Sequence, residues 1–146
     1  MPQPRLPYRT LEPTAFRALK ALDDYVHTLG LPAPLLELVK TRASQLNGCA
    51  FCTDLHSADA LKAGVSTRQL LGLTVWHDSP ALFTAEERAV LRLTEAATLL
   101  PGGVSDAVIA EMQQHYSDAE IVRWTMAIIS INAWNRMGVV AGLEPK

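Results

Sequence analysis

The sequence predicts an all-α fold of about seven helices in a single domain that spans residues 1–146. Apolar residues recur at spacings of three and four through most of the chain, as they do on the buried face of an amphipathic helix. At two predicted helix starts a Ser or Thr stands three residues before a Glu, which is the pattern of a capping box. No stretch alternates apolar and polar residues for long enough to favour a strand.

In the N-terminal half, Pro and Gly residues separate the predicted helices. The first dozen residues contain three prolines and are expected to lie extended over the surface or over a neighbouring subunit. Helical spacing begins at Thr14 and continues to about Leu29, where Gly30 ends the helix. The next three helices are expected from Pro32 and Pro34 to Leu46, from about Cys49 to Lys62 with Gly64 at the C-cap, and from Ser66 or Thr67 through Leu73.

In the C-terminal half, three further helices are predicted, and a turn at residues 101–103 separates the first from the second. They are expected from the capping box of Thr84 and Glu87 to Leu99, from Ser105 to about His115, and from the capping box of Ser117 and Glu120 to about Val140. The last helix is apolar on most faces, which predicts a central position in the fold.

The composition excludes several functional classes. The chain is 49% hydrophobic and 19% charged, with a net charge of −2 and no run of either sign. This balance speaks against binding to nucleic acid or to an acidic membrane surface. The N-terminus lacks the apolar core of a secretory signal, and the most apolar stretch, residues 124–131, is far too short to span a bilayer. We therefore expect a cytoplasmic protein whose apolar surplus covers a subunit interface.

The two cysteines, Cys49 and Cys52, are expected to form a reversible thiol pair. Cα atoms three residues apart on a helix are separated by roughly 5 Å, a distance that a disulfide can bridge. His56 follows Cys52 by four residues, so the three side chains share one helical face. Unpaired N–H groups at the helix start and an imidazole one turn along both favour a thiolate at neutral pH.

Glu37 precedes Cys49 by twelve residues and lies on the preceding predicted helix. Because Asn47 and Gly48 break the chain between the two helices, we expect them to fold back antiparallel and to bring the carboxylate near His56. There the carboxylate fixes the imidazole tautomer or relays a proton through water. This order of nucleophile, base and orienting group is the general arrangement of an activated thiol.

Chemistry alone leaves alternatives for these four residues. In the first alternative, the cysteines are inert buried thiols, since free Cys is among the most buried residue types. In another, the four residues hold zinc, although three ligands crowded on one helical face fit a tetrahedron poorly. The helix start favours Cys49 as the nucleophile and His56 favours Cys52; we favour Cys52, because a nearby base both activates a thiol and returns its proton.

The spacing of these residues, Glu, eleven residues, Cys, two residues, Cys, three residues, His, resembles the signature of the AhpD-like alkylhydroperoxidases in the carboxymuconolactone decarboxylase superfamily. The later segment INAWNR, residues 131–136, is similar to part of their last long helix. The resemblance implies an AhpD-like helical fold, a peroxidase without a bound cofactor or metal, and a homo-oligomer, often a trimer or hexamer. The superfamily's decarboxylases lack the cysteine pair, so their reaction is not expected here.

By the same resemblance, Cys52 is similar to the peroxidatic cysteine, Cys49 to the resolving cysteine, His56 to the base and Glu37 to the proton-relay carboxylate. The implied substrate is a hydroperoxide, and the implied reductant is a dithiol partner such as a lipoyl or thioredoxin-like protein. Phe51 stands where well-studied members carry a His, which bears on efficiency and substrate. The alternative functions are a disulfide reductase or oxidative-stress sensor with little peroxidase turnover, and a non-catalytic oligomeric scaffold.

Polar residues outside this motif receive structural interpretations. Asn132, Asn135 and Arg136 share one face of the apolar last helix and are expected to tie helices or subunits together, with substrate contact as the alternative. The remaining histidines, His27, His77 and His115, are expected at the surface or at helix ends. Trp76, beside His77, is expected to be a buried aromatic next to a loop.

Overall fold

The structure, a computed structural model, describes residues 4–145. Residues 1–3, the first part of the segment predicted to be extended, lie outside the described residues. Lys146 also lies outside them. Residues 4–145 form α-helices and short 3₁₀ helices and contain no strand. The α-helices are α1 Tyr8–Leu11, α2 Pro13–His27, α3 Ala33–Leu46, α4 Ala50–Lys62, α5 Thr67–Gly72, α6 Ala85–Thr98, α7 Asp106–Gln113 and α8 Asp118–Ala141.

All seven predicted helices are present, and their ends follow the predicted capping residues. Thr84 and Ser117 each accept a hydrogen bond from the backbone of the Glu three residues later, and both capping boxes close. Ser66 caps α5 in the same way with Gln69. A 3₁₀ helix, Leu73–Asp78, follows α5, and another, Leu100–Gly102, occupies the predicted turn.

The prediction of an extended N-terminal segment is wrong for residues 8–11, which form the short helix α1. The backbone N–H groups of Thr10 and Leu11 donate to the Pro7 carbonyl at 3.0 and 3.1 Å, and this closes one helical turn. Tyr8 is buried and packs against Phe16 of α2, with ring centroids 6.2 Å apart. Burial of this aromatic ring gives the segment a tertiary contact that favours a compact turn over an extended strand.

The core lies between α3, α6 and α8. Fully buried apolar side chains from these helices, among them Leu38, Val39, Leu91, Trp124 and Ile128, are each 1% exposed or less. Helix α8 packs against α2, α3, α4, α6 and α7, which confirms its predicted central position. Among residues 4–145, no helix combines the length and the apolar character needed to cross a membrane.

The N-terminal segment is held against the C-terminal end of α8. The Arg5 guanidinium donates to the carbonyls of Val139 at 2.7 Å and Val140 at 3.0 Å. The Leu6 N–H donates to the Ala141 carbonyl at 3.3 Å. A cation at the last carbonyls of a helix is favoured by the helix dipole. This contact brings both ends of the described chain to the side of the fold where α4 begins.

Candidate active site

Cys49 and Cys52 lie at the start of α4, where they form a disulfide with their Cα atoms 5.3 Å apart. Cys49 is the N-cap residue of α4, and its Sγ accepts a hydrogen bond from the Cys52 N–H at 3.3 Å. Both residues are buried, at 2% and 5% exposure. The predicted pair closes within one helical turn, and a thiolate on Cys49 would be stabilised by the free N–H groups of the helix start.

The turn that presents Cys49 is held by side chains of α3 and α8. Gly48 adopts a φ of 65°, a left-handed conformation that glycine tolerates, and the Cys49 N–H donates to the Ser44 carbonyl at 3.0 Å. The Asn47 side chain donates to Asn132 Oδ1 at 3.0 Å and to Asn135 Oδ1 at 2.9 Å. The position of Cys49 therefore depends on α8 as well as on its own helix.

The polar face of α8 forms a continuous hydrogen-bonded network. Asn135 is fully buried and donates to Ser44 Oγ at 2.9 Å, which in turn donates to the Lys40 carbonyl at 2.7 Å. Asn132 donates to Thr98 Oγ1 at 3.0 Å. The Arg136 guanidinium donates to the carbonyl and to Oδ1 of Asn132. These bonds tie α8 to α3 and α6, which is the helix-tying role expected from the sequence.

Gly138 of α8 packs directly against the sulfur atoms, and sequence reasoning did not find it. A Cβ at this position would lie 2.9 Å from Cys49 Sγ and 3.3 Å from Cys52 Sγ. Glycine therefore lets α8 approach the disulfide closely. The available signal was an isolated glycine in a long helix, which costs about 1 kcal/mol relative to alanine and usually has a packing reason.

His56 and Glu37 form the contact that the sequence predicted. Nδ1 of His56 lies 2.8 Å from Oε2 of Glu37, and the two side chains are 14% and 12% exposed. With Nδ1–H donated to the carboxylate, Nε2 is the basic nitrogen of the neutral imidazole. Burial raises the pKa of Glu37, but the hydrogen bond from His56 and the charge of Lys40 outweigh it, so the pKa lies below its ordinary value.

Two further charged residues adjoin this pair, and the sequence analysis missed both. Lys40 is only 3% exposed, and its Nζ lies 3.5 Å from Glu37 Oε1 and 3.8 Å from Asp23 Oδ1 of α2. Asp59 of α4 completes the group, since one ligand atom each of Glu37, His56 and Asp59 lie within 4.8 Å of one another. Three such groups can share a cation, but the Lys40 ammonium already supplies a positive charge to Glu37. A lysine three residues after a glutamate on a helix commonly forms a surface pair, so its spacing carried no signal of burial.

Two openings lie beside the disulfide. An apolar cavity of about 280 Å³ is enclosed by the N-terminal segment, Phe51 and the residues that follow α8, including Leu143. Leu143 borders the same point beside Gly138 that the two sulfur atoms border. On the other side, an open groove formed by the end of α3 and the start of α4 is lined by Cys49 itself. The groove therefore reaches Cys49, whereas the cavity ends at Phe51 and Leu143, which adjoin the cysteines.

The remaining predicted residues lie away from the cysteines or serve packing. His77 is exposed and pairs with Glu95, while Trp76 is fully buried, as expected. His27 is exposed and contacts the carbonyl of Asp23, and His115 is half-buried beside Tyr116. None of these histidines belongs to the group formed by Glu37, Lys40, His56 and Asp59.

Comparisons with known proteins agree with this arrangement. The model of the carboxymuconolactone decarboxylase family matches residues 13–96, which include the cysteines, His56 and Glu37. The uncharacterised protein YdfG of Bacillus subtilis (strain 168) is 32% identical over 139 residues, 94% of each chain.

Two solved structures share the fold. A protein of unknown function from Agrobacterium tumefaciens, suggested to be the antioxidant defence protein AhpD, superposes with a TM-score of 0.94 at 38% identity over 99% of each chain. The AhpD core of a peroxidase-related protein from Ralstonia eutropha JMP134 superposes at 0.83, with 20% identity over 94% of this chain and 74% of that one. At that identity the second likeness concerns the fold alone.

Proposed function

The chain belongs to the carboxymuconolactone decarboxylase family, in its AhpD-like group, and from this premise we propose that it is a peroxidase that reduces hydroperoxides through Cys49 and Cys52. The observation that carries the proposal is the disulfide at the start of α4, one helical turn from a half-buried imidazole bonded to a carboxylate. A reversible thiol pair with a positioned base is the minimum equipment for thiol-based peroxide reduction.

The proposed reaction begins with the reduced protein. The Cys52 thiol passes its proton to Nε2 of His56, and the thiolate attacks the O–O bond of the hydroperoxide. Cys52 becomes a sulfenic acid, and the leaving alkoxide takes the proton and departs as an alcohol. The Cys49 thiol then attacks the sulfenic sulfur, which forms the disulfide and releases water. A dithiol partner reduces the disulfide and is itself oxidised to a disulfide.

The roles of the two cysteines follow from their different surroundings. His56 lies four residues after Cys52 on the same helix, so Cys52 has the base on its own face. Cys49 sits at the N-cap, where its sulfur accepts an N–H of the first turn. That position favours the thiolate that leaves when a dithiol attacks Cys52, because helix N-termini stabilise anions.

Trapping of the sulfenic acid with dimedone tests this division of roles. Label is expected in Cys49→Ser, whose sulfenic acid on Cys52 cannot be resolved. Label confined to Cys52→Ser would reverse the assignment of peroxidatic and resolving cysteines.

We propose further that the protein is a homo-oligomer, a trimer or hexamer, and that α8 contributes its interface. Apolar side chains remain exposed along one side of this central helix, with Val122 at 60%, Ile129 at 48% and Val140 at 58%. An apolar groove between α2 and α8, lined by Leu19 and Met137 among others, continues this surface. Contiguous exposed apolar surface of this kind marks interaction sites.

Light scattering on the purified protein tests the oligomer. A trimeric or hexameric mass is expected for the wild type and for Leu71→Lys, which changes an exposed apolar residue on α5. Ile129→Lys is expected to lower the mass. A monomeric wild type would overturn the proposal.

A disulfide reductase or oxidative-stress sensor is the second candidate function. The observation that favours it is Phe51, which lines the apolar cavity. At this sequence position the well-studied AhpD-like peroxidases carry a His. Without that second imidazole, peroxide turnover is expected to be slower. The thiol pair would then exchange with other disulfides or record oxidation without rapid cycling.

One assay separates these functions. The reduced protein is mixed with cumene hydroperoxide, tert-butyl hydroperoxide or hydrogen peroxide, and loss of free thiols is followed. Lipoamide and thioredoxin systems are then supplied as reductants to measure turnover. Absence of thiol loss would remove the peroxidase, and loss without turnover would favour the sensor. Thiols that neither oxidise nor accept a disulfide would leave the non-catalytic scaffold. A reducing cytoplasm is the compartment in which we expect such a couple to cycle.

A further inference from the structure

We propose that Lys40 is a positioning residue for the thiol site: its buried ammonium holds Glu37 ionised against His56 and sets the pH at which the cysteine thiols become reactive. The inference rests on the proposed function in that it assigns His56 as the base for Cys52. It adds a residue that lies outside the motif of Glu37, Cys49, Cys52 and His56, on the opposite side of Glu37 from the imidazole.

The burial of Lys40 needs an explanation, because a charged amine is costly to remove from water unless it is compensated. Its side chain is 4% exposed, in the middle of α3, between the buried residues Val39 and Thr41. A solvated lysine in a helix extends its ammonium into water. Lys40 instead directs it between two carboxylates, Glu37 at 3.5 Å on its own helix and Asp23 at 3.8 Å on α2.

The charges around Glu37 and Lys40 come from three helices, and the outermost, Asp23, contacts Lys40 and His27. Asp23 lies on α2, Lys40 on α3 with Glu37, and His56 and Asp59 on α4. Asp59 raises the pKa of Glu37 through like-charge repulsion, as burial also does, and Lys40 acts in the opposite direction. Lys40 is the fixed cation among these groups, since an imidazole is charged only when it is protonated.

An ionised Glu37 is what gives His56 its function in the proposed reaction. A carboxylate accepts Nδ1–H and leaves Nε2 unprotonated, whereas a protonated carboxyl would compete as a donor and disturb that tautomer. A fixed positive charge also makes every nearby proton easier to release. Loss of the charge should therefore delay the appearance of reactive thiolate, whichever of the thiol and the imidazolium loses its proton first.

The test is the pH dependence of thiol alkylation by iodoacetamide in the reduced full-length protein, with the modified cysteine identified by mass spectrometry. In Lys40→Met, a neutral side chain of similar length, the rise of the Cys52 alkylation rate with pH is expected to move upward by about one pH unit. Lys40→Arg retains the charge and should lie close to the wild type.

Asp23→Asn provides a test of opposite sign and does not disturb the cysteine helix. It removes the carboxylate on the other side of Lys40, so Asp23 no longer offsets the charge of the ammonium at Glu37. The alkylation profile should then move to lower pH, by a few tenths of a unit. A role for Lys40 in packing alone would change the unfolding temperature of these variants without moving their profiles in opposite directions.

A Lys40→Met profile that coincides with the wild type, or a Lys40→Arg profile displaced as far as Lys40→Met, would overturn the inference. Should Lys40→Met fail to fold, the direction of the Asp23→Asn shift decides it, and an unchanged or upward shift would count against Lys40. Alkylation requires no peroxide, so the experiment also separates the two proposals. A protein whose thiols do not react with hydroperoxides can still show, or fail to show, the shift in the alkylation profile that Lys40→Met is expected to cause.

Discussion

Residues 4–145 contain two His–Glu pairs of similar geometry in different surroundings. His56 Nδ1 lies 2.8 Å from Glu37 Oε2 between α3 and α4, and His77 Nε2 lies 2.8 Å from Glu95 Oε2 between the 3₁₀ helix Leu73–Asp78 and α6. Both carboxyls have a pKa below the ordinary value, because hydrogen bonds from their partners outweigh the effect of burial. Distance and pKa alone therefore do not distinguish a candidate catalytic pair from a structural one.

The neighbours of each carboxylate make the difference. Glu95 Oε1 accepts from the buried indole of Trp76 at 2.7 Å and from the Arg42 guanidinium at 2.8 Å, so both of its oxygens are occupied. Its imidazole, His77, is 45% exposed and stacks on Trp76. This cluster, the Glu95 brace, joins α3, α6 and the 3₁₀ helix through short charge-assisted bonds.

Glu37 has a looser environment. Lys40 Nζ lies 3.5 Å away, Asp59 lies nearby, and the partner imidazole is half-buried on the helix that carries the cysteines. A carboxylate with a perturbed pKa beside an imidazole, in a charged and partly buried setting, is typical of functional sites. The comparison indicates that two properties distinguish a candidate relay from a structural pair. The carboxylate has fewer short hydrogen bonds from structural donors, and its imidazole lies on the helix that carries the cysteines.

The largest expected effect comes from removing each imidazole. His56→Ala should slow peroxide-driven thiol loss at pH 7 by about 100-fold, because general acid–base catalysis contributes roughly 10²–10⁴. His77→Ala removes an imidazole with the same bond length to a Glu and should leave the rate within about twofold of the wild type. Stopped-flow measurement of thiol loss with cumene hydroperoxide compares the two. Equal rates in both variants would remove the distinction between the pairs.

Removing each carboxylate charge should separate chemistry from stability. Glu37→Gln is expected to slow thiol loss about tenfold, since the amide no longer holds the imidazole tautomer as an anion does. Glu95→Gln should leave that rate unchanged but cost about 1–2 kcal/mol of unfolding free energy, because the Arg42 and Trp76 donors lose an anionic acceptor. Urea unfolding and thiol kinetics on both variants give the two readings. The reverse pattern would exchange the roles assigned to the pairs.

A close helix approach through a glycine, Gly138, is found at the cysteine site and is not part of the Glu95 brace. Gly138→Ala should destabilise the oxidised protein by about 1–3 kcal/mol, because the new methyl group overlaps the disulfide and forces the helices apart. Gly102→Ala is the matched control, since a Cβ at Gly102 meets no atom within 4 Å. The unfolding temperatures of the two variants measure the effect. A stable Gly138→Ala protein would show that α8 can move away from the cysteines without loss.

The smallest expected effect is the response of stability to acid. Because the pKa of Glu37 and of Glu95 is lower in the folded protein than its ordinary value of 4.5, each carboxylate contributes stability above that value. That contribution is lost as the pH falls through the lowered pKa. Urea midpoints compared at pH 7 and at about pH 4 should therefore fall less in Glu95→Gln than in the wild type. An identical loss in both proteins would mean that folding does not lower the pKa of Glu95.

Much of the fold was predictable because helix boundaries depend on neighbours in sequence. The Ser117 capping box closes a local hydrogen-bonded ring, so its position marks the start of α8 without reference to the rest of the chain. The shared face of Cys49, Cys52 and His56 follows from helical periodicity alone. The approach of Glu37 to His56 required only one further step, the fold-back at Asn47 and Gly48.

The sequence by itself therefore determined seven of the eight α-helices described within residues 4–145, their order and the four residues of the candidate site. Only the tertiary structure decided that Lys40 is buried, that Gly138 abuts the disulfide and that residues 8–11 form a helix. It also decided that His77 pairs with Glu95. The physical reason is that capping and periodicity are set within a few residues, whereas burial of a charge depends on which helices, distant in sequence, pack around it.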